Sequence, residues 1–172
     1  AIGGVAILSR RPFAEGREPQ CFDRGSMAIA PVDFGGQTVE VTALHLGWPW
    51  PFGQNWQVRN VSPILAELNG PALLAGDFNA TPWSQTAHAV AAAGGLAPLP
   101  VPGATWLYHR LPQWLHFTGL PIDQVMAKGE IDIHAVRTLD PVGSDHLPVL
   151  VEFSLPPKPA EDEPQATTAF LR

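Results

Sequence analysis

The sequence predicts an α/β domain in which strands outnumber helices and stack in layers. Short runs rich in Val, Ile, Leu and Ala alternate with Gly- and Pro-rich turns, and only two segments show helical spacing. Hydrophobic residues make up 45% of the 172 residues and charged residues only 15%, against about 25% in an average domain. A chain of this size fits one domain, so we expect a single layered sandwich of sheets and helices.

Three strands are expected in the first third of the chain. Residues 5–8 form a short apolar run that predicts a buried strand. Residues 27–34 predict a second strand, in which Pro31 indicates an edge or a break because proline donates no ladder hydrogen bond. Gly35-Gly36 predicts a hairpin turn, and the β-branched residues of 38–46 predict the third strand.

Two helices are expected between strands. Residues 55–68 carry apolar side chains at roughly helical spacing, and Pro63 should kink this helix or begin its second half. Ser84 can cap a second helix that runs to about Ala93 and ends at Gly94-Gly95. Helices between strands favour an α/β layered arrangement over an all-β one.

The remaining segments complete the domain. Further apolar runs predict four more strands, over residues 72–75, 122–126, 131–139 and 149–155. Residues 96–121 are rich in Pro and aromatic residues and should be mostly loop. From 156 to 172 the chain turns polar, with Pro, Glu, Asp and Thr, so we expect a domain over 1–155 followed by a disordered tail.

Composition limits the possible partners. The net charge of −6 and the pI of about 5.4 indicate that the chain lacks the basic surface typical of nucleic-acid-binding proteins. A bound cation could nevertheless supply positive charge. No apolar run reaches the ~18 residues of a membrane span, and no signal-peptide pattern is present. The chain opens without Met directly on a strand signal, so we expect a fragment whose upstream part, with any localisation signal, is absent.

Gly76-Asp77-Phe78-Asn79 directly follows a buried strand and is the first candidate site. Residues at i and i+2 of an extended segment point the same way, so Asp77 and Asn79 should face one pocket while Phe78 enters the core. A carboxylate and an amide together can bind a metal, orient water or hydrogen-bond a phosphate oxygen. The same residues also suit an ordinary Asx turn, and the sequence leaves both interpretations open.

Asp145-His146, in a tight loop before a strand, is the second candidate. Histidine titrates near neutral pH, which suits a general base beside a metal-binding carboxylate, although a solvated turn would have similar residues. Asp123 stands in an apolar strand, where an unpaired buried carboxylate is costly. His146 is its attractive partner, because a base needs a third group to hold its tautomer; an Asp in solvent at a strand start is the alternative.

Other candidates are weaker. His45, near a strand end, could contact a phosphate or leaving group, or be merely structural. Most tryptophans should pack in the core or loops, but Trp48, Trp50 and Trp106 could line a substrate mouth. No zinc-protease signature, phosphate-cradling P-loop or serine nucleophile elbow is present.

Together and in this order, these segments are specific. The chain resembles the endonuclease/exonuclease/phosphatase superfamily, which includes DNase I, apurinic endonucleases, sphingomyelinases and inositol polyphosphate 5-phosphatases. The resemblance implies a four-layer, DNase I-like sandwich of two packed mixed β-sheets flanked by helices, with its N-terminal part missing here. The matching segments are residues 4–10, 44–46, 76–79, 122–125 and 144–148.

The resemblance also implies residue roles. Asp77 would orient or activate the attacking water, and Asn79 would hold the phosphate. His146 would contact the phosphate or act as base, with Asp123 fixing its imidazole. His45 matches a histidine that hydrolases of this group place on the phosphate. The implied reaction is in-line attack of water on phosphorus, with Mg²⁺ or Mn²⁺ stabilising charge on the oxygens.

The metal site is only partly within this sequence. Asp145 would support it, whereas the family's main Glu ligand is expected upstream of Ala1, so we expect this chain alone to bind metal weakly and to be impaired as an enzyme. Gln124 stands where many members have His. The stretch 76–84, with Thr105-Trp106, looks most like bacterial members that carry N-terminal hydrophobic segments, so we expect a membrane anchor upstream.

Three functions follow as hypotheses. The leading one is a divalent-metal-dependent phosphoesterase that hydrolyses a phosphodiester or a phosphomonoester. The alternatives are a nuclease acting on DNA or RNA, and a non-catalytic binding domain that keeps the fold and pocket. The acidic charge fits a small phosphodiester or a lipid-linked phosphate better than duplex DNA.

Overall fold

A computed structural model describes residues 4–51, 53–100, 103–107, 115 and 118–157, which form two sheets and two helices. The first sheet contains β1 (Gln20–Phe22), β2 (Met27–Asp33), β3 (Thr38–Leu44), β4 (Ala72–Asp77), β5 (Ala97–Pro98) and β6 (Asp123–Lys128), in the spatial order β1-β2-β3-β4-β6-β5. The second sheet pairs β7 (Asp132–Thr138) with β8 (Val149–Ser154). The helices are α1 (Gln54–Ala66) and α2 (Gln85–Gly94).

The first sheet is mixed, and its centre carries the core. β3 and β4 run parallel, whereas the other neighbouring pairs run antiparallel. A parallel pair needs a long crossover, and α1 supplies it between β3 and β4. Side chains of the sheet and of both helices form one buried cluster that includes Met27, Leu44, Val61, Leu74 and Val90. The core therefore lies between the sheet and the two helices.

Both predicted helices form, with one difference. Ser84 caps α2 as expected, its hydroxyl accepting from the Ala87 N–H at 3.1 Å, and Gly95 ends the helix in the left-handed conformation. Pro63 neither breaks α1 nor begins a separate half, because α1 is one helix that contains it. Pro63 and Arg59 are both exposed, so solvent can satisfy the Arg59 carbonyl that the missing proline N–H leaves unpaired.

The predicted buried strand over residues 5–8 is wrong. None of these residues belongs to a strand, and Leu8 is 94% exposed. The Val5 N–H donates to the Gly25 carbonyl at 2.9 Å, but a strand needs a partner along its length, which an apolar run cannot supply by itself. β1 was missed for the opposite reason: with only three residues it is too short to show a periodic pattern, and it forms because β2 offers an edge.

Pro31 lies within β2 at a position that tolerates it. β1 pairs only with residues 27–29, and beyond it a short segment around Phe13 bridges to Val32 on the same side of β2. Pro31 therefore does not lie at an open edge, and there its carbonyl accepts from the Ala14 N–H at 2.8 Å, a bond that does not need the N–H that proline lacks. The Gly35-Gly36 turn also forms as predicted, with φ of 75° and 89°, values that glycine adopts without strain.

The second sheet is small, and contacts with the turn between β2 and β3 attach it to the first sheet. β7 and β8 pair antiparallel with a register irregularity between Ile133 and Ala135. Phe153 on β8 packs against Phe34 with ring centroids 5.5 Å apart, and the Gln37 side chain donates to the Pro156 carbonyl at 2.8 Å. The two sheets that the sequence predicted are therefore present.

Two expectations concern the ends of the chain. The predicted disordered tail over 156–172 falls outside the described residues from 158 onward. Among the residues that the structure describes, neither helix has the length and apolar character that crossing a membrane requires.

Candidate active site

The turn after β4 places the first two site residues. A Cβ at Gly76 would lie 1.8 Å from the Leu44 carbonyl oxygen, so only glycine allows β3 this close. Phe78 is fully buried, as predicted. Asp77 Oδ1 accepts from the Asn79 N–H at 2.7 Å, and Asn79 adopts a left-handed φ of 47°. The segment is therefore an Asx turn, and this turn holds the Asp77 carboxylate in place.

Asn79 ties this turn to the end of β3. Its side-chain amide donates to the Leu46 carbonyl at 2.7 Å and to Asp77 Oδ2 at 3.2 Å. The residue is only 7% exposed. Both amide hydrogens are thus engaged within the chain, so a contact with phosphate would require exchange of the longer bond.

β6 brings the third carboxylate beside the turn. β4 and β6 pair antiparallel with Asp77 opposite Asp123, and residues opposite each other have their Cβ atoms about 5 Å apart. His146 Nδ1 hydrogen-bonds Asp123 Oδ2 at 2.9 Å. The pair that the sequence suggested is therefore present, although 23 residues separate its members.

Two imidazoles face the same carboxylate oxygen. His45 Nε2 lies 3.5 Å from Asp77 Oδ2, and His146 Nε2 lies 3.8 Å from it. The structure therefore brings His45, Asp77, Asn79, Asp123 and His146 into one cluster, five of the six residues singled out from the sequence. An oxygen of a bound phosphate or water at this point would meet both imidazoles.

The pKa values of Asp77 and His146 both depart from those of the free side chains. Burial raises the pKa of Asp77, the N–H of Asn79 opposes that rise, and the neighbouring charge of Asp123 adds to it. The hydrogen bond that the His146 imidazole donates to the Asp123 carboxylate raises the pKa of His146, against the smaller opposing effect of burial. Perturbed titration of this kind is typical of functional sites.

Asp145 lies apart from this cluster. It is exposed, and its Oδ2 accepts from the Trp106 indole N–H at 3.2 Å. Its peptide carbonyl accepts from the Leu107 N–H at 2.7 Å. Asp145 does not belong to the metal-binding group of the described residues, so its metal role stays a prediction.

That group consists of Asp77, Asp123 and His146, each offering one ligand atom within 4.8 Å of the others. Carboxylate oxygens suit Mg²⁺ and Mn²⁺, and imidazole suits Mn²⁺ better than Mg²⁺. The donor set therefore fits these ions, but three ligands fall short of the six that an octahedral ion takes. No described glutamate joins the group, and buried Glu40 instead pairs with Arg17 and the Asn69 N–H.

Sequence reasoning missed the positioning role of Thr105. This residue is fully buried, and its hydroxyl accepts from the Asp123 N–H at 3.1 Å. Its carbonyl accepts from the Leu147 N–H at 2.7 Å, and its neighbour Trp106 forms a backbone bridge with His146. Thr105 thus joins the two halves of the Asp123–His146 pair. A threonine in a loop-like, aromatic-rich stretch gives no local signal of this role.

Gln124 supports the site from behind. Its buried amide donates to the carbonyls of Ala80 and Pro121 at 3.0 and 2.8 Å. It therefore holds the chain on either side of the cluster.

The fold and site define a layered α/β protein with an acid–base cluster at the ends of its central strands. The chain belongs to the endonuclease/exonuclease/phosphatase family, whose family model matches residues 1–146. Solved structures of this family share its DNase I-like fold. The resemblance inferred from the motifs is thereby confirmed.

Specific relatives support this assignment. The chain is 33% identical over 124 residues to a UPF0294 protein of Vibrio vulnificus strain YJ016, covering 70% of this chain and 41% of that protein. It therefore spans about two fifths of that relative's length. An endonuclease/exonuclease/phosphatase from Beutenbergia cavernae is 25% identical, with a TM-score of 0.60 over 86% of this chain and 46% of its own.

Two further solved structures share the fold at lower identity. A mannosyl-6-phosphatase from Bacteroides thetaiotaomicron is 21% identical, with a TM-score of 0.55 over 75% of this chain and 57% of its own. D. rerio TDP2, solved with a single-strand DNA product, is 16% identical, with a TM-score of 0.60 over 80% and 66%. The family thus includes both phosphatases and nucleases.

Proposed function

We propose that this chain carries the phosphate-binding and acid–base side of a divalent-metal-dependent phosphoesterase, acting on a phosphodiester or phosphomonoester. The observation that carries the proposal is the hydrogen-bonded Asp123–His146 pair, whose free Nε2 side faces Asp77 Oδ2 at 3.8 Å. A carboxylate that fixes one ring nitrogen leaves the other to exchange a proton with a reacting oxygen.

Each side chain has a role in the proposed reaction. Asp77 orients the attacking water, and His45 contacts the phosphate together with His146. The raised pKa of His146 favours its protonated form, which can neutralise phosphate charge or donate a proton to the leaving oxygen. Asn79 holds Asp77 in place and reaches the phosphate if its 3.2 Å bond exchanges.

Within the group of Asp77, Asp123 and His146, the two carboxylates would hold Mg²⁺ or Mn²⁺, because a protonated imidazole cannot ligate an ion, with Asp145 as our sequence-based supporting ligand. When bound, the ion would supply positive charge that stabilises the oxygens around phosphorus. Further ligands would come from outside the described residues.

A nuclease is the second candidate, because the fold is shared with an enzyme bound to a single-strand DNA product. The net charge of −6 weighs against a long nucleic acid, whose binding depends on Lys and Arg contacts to phosphates. A non-catalytic binding domain would keep the pocket but show no turnover.

The test is metal-dependent hydrolysis of bis-p-nitrophenyl phosphate by the full-length protein. We expect Asp77→Ala and His146→Ala each to reduce the rate with Mg²⁺ or Mn²⁺ by about 10² to 10⁴, the range for a lost acid–base group. His88→Ala on the exposed face of α2 is the matched control and should retain the wild-type rate. Wild-type rates in both site variants would refute the site, and no turnover in the wild type would favour a binding domain.

A further inference from the structure

A cavity of about 380 Å³ lies beside the acid–base cluster, and Asn79 belongs to both. We propose that this cavity, the Asn79 pocket, holds the non-phosphate group of the substrate, and that this group is a neutral, hydroxyl-bearing ring such as a sugar. The inference rests on the function proposed above and names its substrate class. The volume falls in the range of about 300–1,000 Å³ for small-molecule sites.

The position of the pocket follows from the bonds of Asn79. Its amide reaches Asp77 Oδ2 at 3.2 Å, on the side of the cluster where both imidazoles converge. A phosphate placed between the imidazoles would therefore extend its ester group past Asn79 into the pocket. The pocket thus receives the part of the substrate that determines specificity.

The lining contains two kinds of surface. Trp48, Leu120 and Ile122 form an apolar wall, on which the C–H face of a sugar ring can pack. Asn55 and Gln85 are both exposed and line the same cavity, so their amides offer donors and acceptors. A ring with an apolar face and a rim of hydroxyls matches both surfaces at once.

The charge of the lining excludes other groups. All lining residues belong to the described ranges, and none of them is Asp, Glu, Lys, Arg or His. A cationic headgroup would lose hydration there without gaining an opposite charge. An acyl chain would leave the amides of Asn55 and Gln85 without partners on desolvation. Neutral hydroxyls carry neither cost.

The aromatic wall is held in place before any ligand arrives. The Gly47 N–H donates to Gln57 Oε1 at 2.7 Å, and the Gly47 carbonyl accepts from Gln54 Nε2 at 2.7 Å. Both backbone groups next to Trp48 are thus fixed by α1. Preorganisation of this kind favours binding, because little ordering remains to be done.

The same network joins the wall to the reacting groups. Gln54 also donates to the Phe78 carbonyl at 2.9 Å and accepts from the Thr86 hydroxyl at 2.6 Å. Trp48 contacts Trp106 edge-to-face with centroids 6.2 Å apart, and Trp106 bridges to His146 through the backbone. A ring bound against Trp48 would therefore be positioned relative to the His146 imidazole.

The experiment compares two matched substrate pairs, hydrolysed by the full-length protein with Mn²⁺ or Mg²⁺. The monoester pair is glucose 6-phosphate and methyl phosphate, and the diester pair is glucose-6-yl p-nitrophenyl phosphate and methyl p-nitrophenyl phosphate. We expect kcat/KM to be at least about tenfold higher for the glucose member of the hydrolysed pair, as expected for a filled pocket. The corresponding adenosine 5′ esters test a nucleoside in the same place.

Single substitutions test whether the preference for glucose esters arises in the Asn79 pocket. Trp48→Ala should lower the glucose preference about tenfold, and Asn55→Ala, at an exposed position that the fold does not need, about threefold, as expected for one lost hydrogen bond. Trp56→Ala is the matched control, since this neighbour on α1 is 56% exposed and does not line the pocket. Hydrolysis of both the glucose and the methyl esters should show little change with Trp56→Ala.

The outcomes separate the two proposals. Metal-dependent hydrolysis without a glucose preference, with a larger preference for adenosine, or with a preference that survives Trp48→Ala and Asn55→Ala would overturn this inference and leave the phosphoesterase proposal standing. Absence of hydrolysis in both pairs and in bis-p-nitrophenyl phosphate would overturn the phosphoesterase proposal, and this inference with it.

Discussion

The six-stranded sheet and the β7–β8 pair hold their site residues in different ways. Strands β2 to β4 include fully buried residues such as Met27, Leu44 and Leu74, whereas β7 and β8 contain only half-buried and exposed residues. Asp77 and Asp123 come from the first region, but His146 comes from the loop between β7 and β8. The two carboxylates are therefore held by strands that pack into the core, whereas the position of the His146 imidazole depends on contacts between its loop and the rest of the domain.

The contacts that hold the His146 loop can be named individually. The segment around Thr105 accepts the Leu147 N–H, donates the Leu107 N–H to the Asp145 carbonyl, and bridges Trp106 to His146. A two-stranded ribbon by itself is only marginally stable in water. Attachment to the first region, more than the internal pairing of β7 and β8, should therefore determine where His146 stands.

The largest expected effect contrasts one phenylalanine from each region. Phe78→Ala in the core should cost about 3–5 kcal/mol of unfolding free energy, because its side chain is fully buried. Phe153→Ala on β8 should cost nearer 0.5–1.5 kcal/mol, the value of an aromatic pair, since it mainly loses contact with Phe34. Urea denaturation monitored by circular dichroism measures both. Equal costs would show that the β7–β8 pair is as well anchored as the core.

The second prediction concerns the bond that joins the regions. Because the Asp123 hydrogen bond raises the pKa of His146, Asp123→Asn should lower that pKa, measured by NMR titration of the imidazole. The wild-type bond stabilises the fold fully below the unfolded pKa of about 6.5 and loses this contribution as pH rises through the folded pKa. Asp132→Asn, exposed on β7, is the control. An unchanged His146 pKa would mean that the pair does not form in solution.

A smaller effect is expected from removing the hydrogen bond between the Thr105 hydroxyl and the Asp123 N–H. Thr105→Val keeps the shape of the side chain but removes the acceptor for the Asp123 N–H, so kcat/KM on bis-p-nitrophenyl phosphate should fall up to about tenfold. Thr105→Ser restores the acceptor and should recover most of the rate. A positioning role also predicts a shift in the His146 pKa with Thr105→Val. A loss of stability without that shift would reduce Thr105 to a packing residue.

The smallest signal should come from metal binding to this chain alone. Asp77, Asp123 and His146 offer three ligand atoms, two of them on side chains already bonded to each other. We therefore expect weak Mn²⁺ binding by isothermal titration calorimetry, weakened further by Asp77→Asn and little changed by Asp33→Asn. Tight stoichiometric binding would show that the described residues hold the ion without a further ligand.

The contrast between the regions also explains which elements were predictable. β2, β3, β4 and β6 have apolar periodicity because they are buried, and α2 has a local cap at Ser84 and a stop at Gly95. Residues 5–8 have the same apolar composition but no partner strand, so their prediction failed. β1 is three residues long, too short for a periodic pattern, and forms because the edge of β2 lies beside it.

Residue order alone predicted the family and five members of the cluster, since residues 44–46, 76–79, 122–125 and 144–148 form local patterns that need no neighbour to be noticed. The tertiary structure decided how they meet. It placed Asp123 opposite Asp77 through β-pairing, left Asp145 bonded to Trp106, and made Thr105 the joint between Asp123 and the His146 loop. Those contacts join residues 18 to 46 positions apart, and their register depends on packing between strands, which no local pattern encodes.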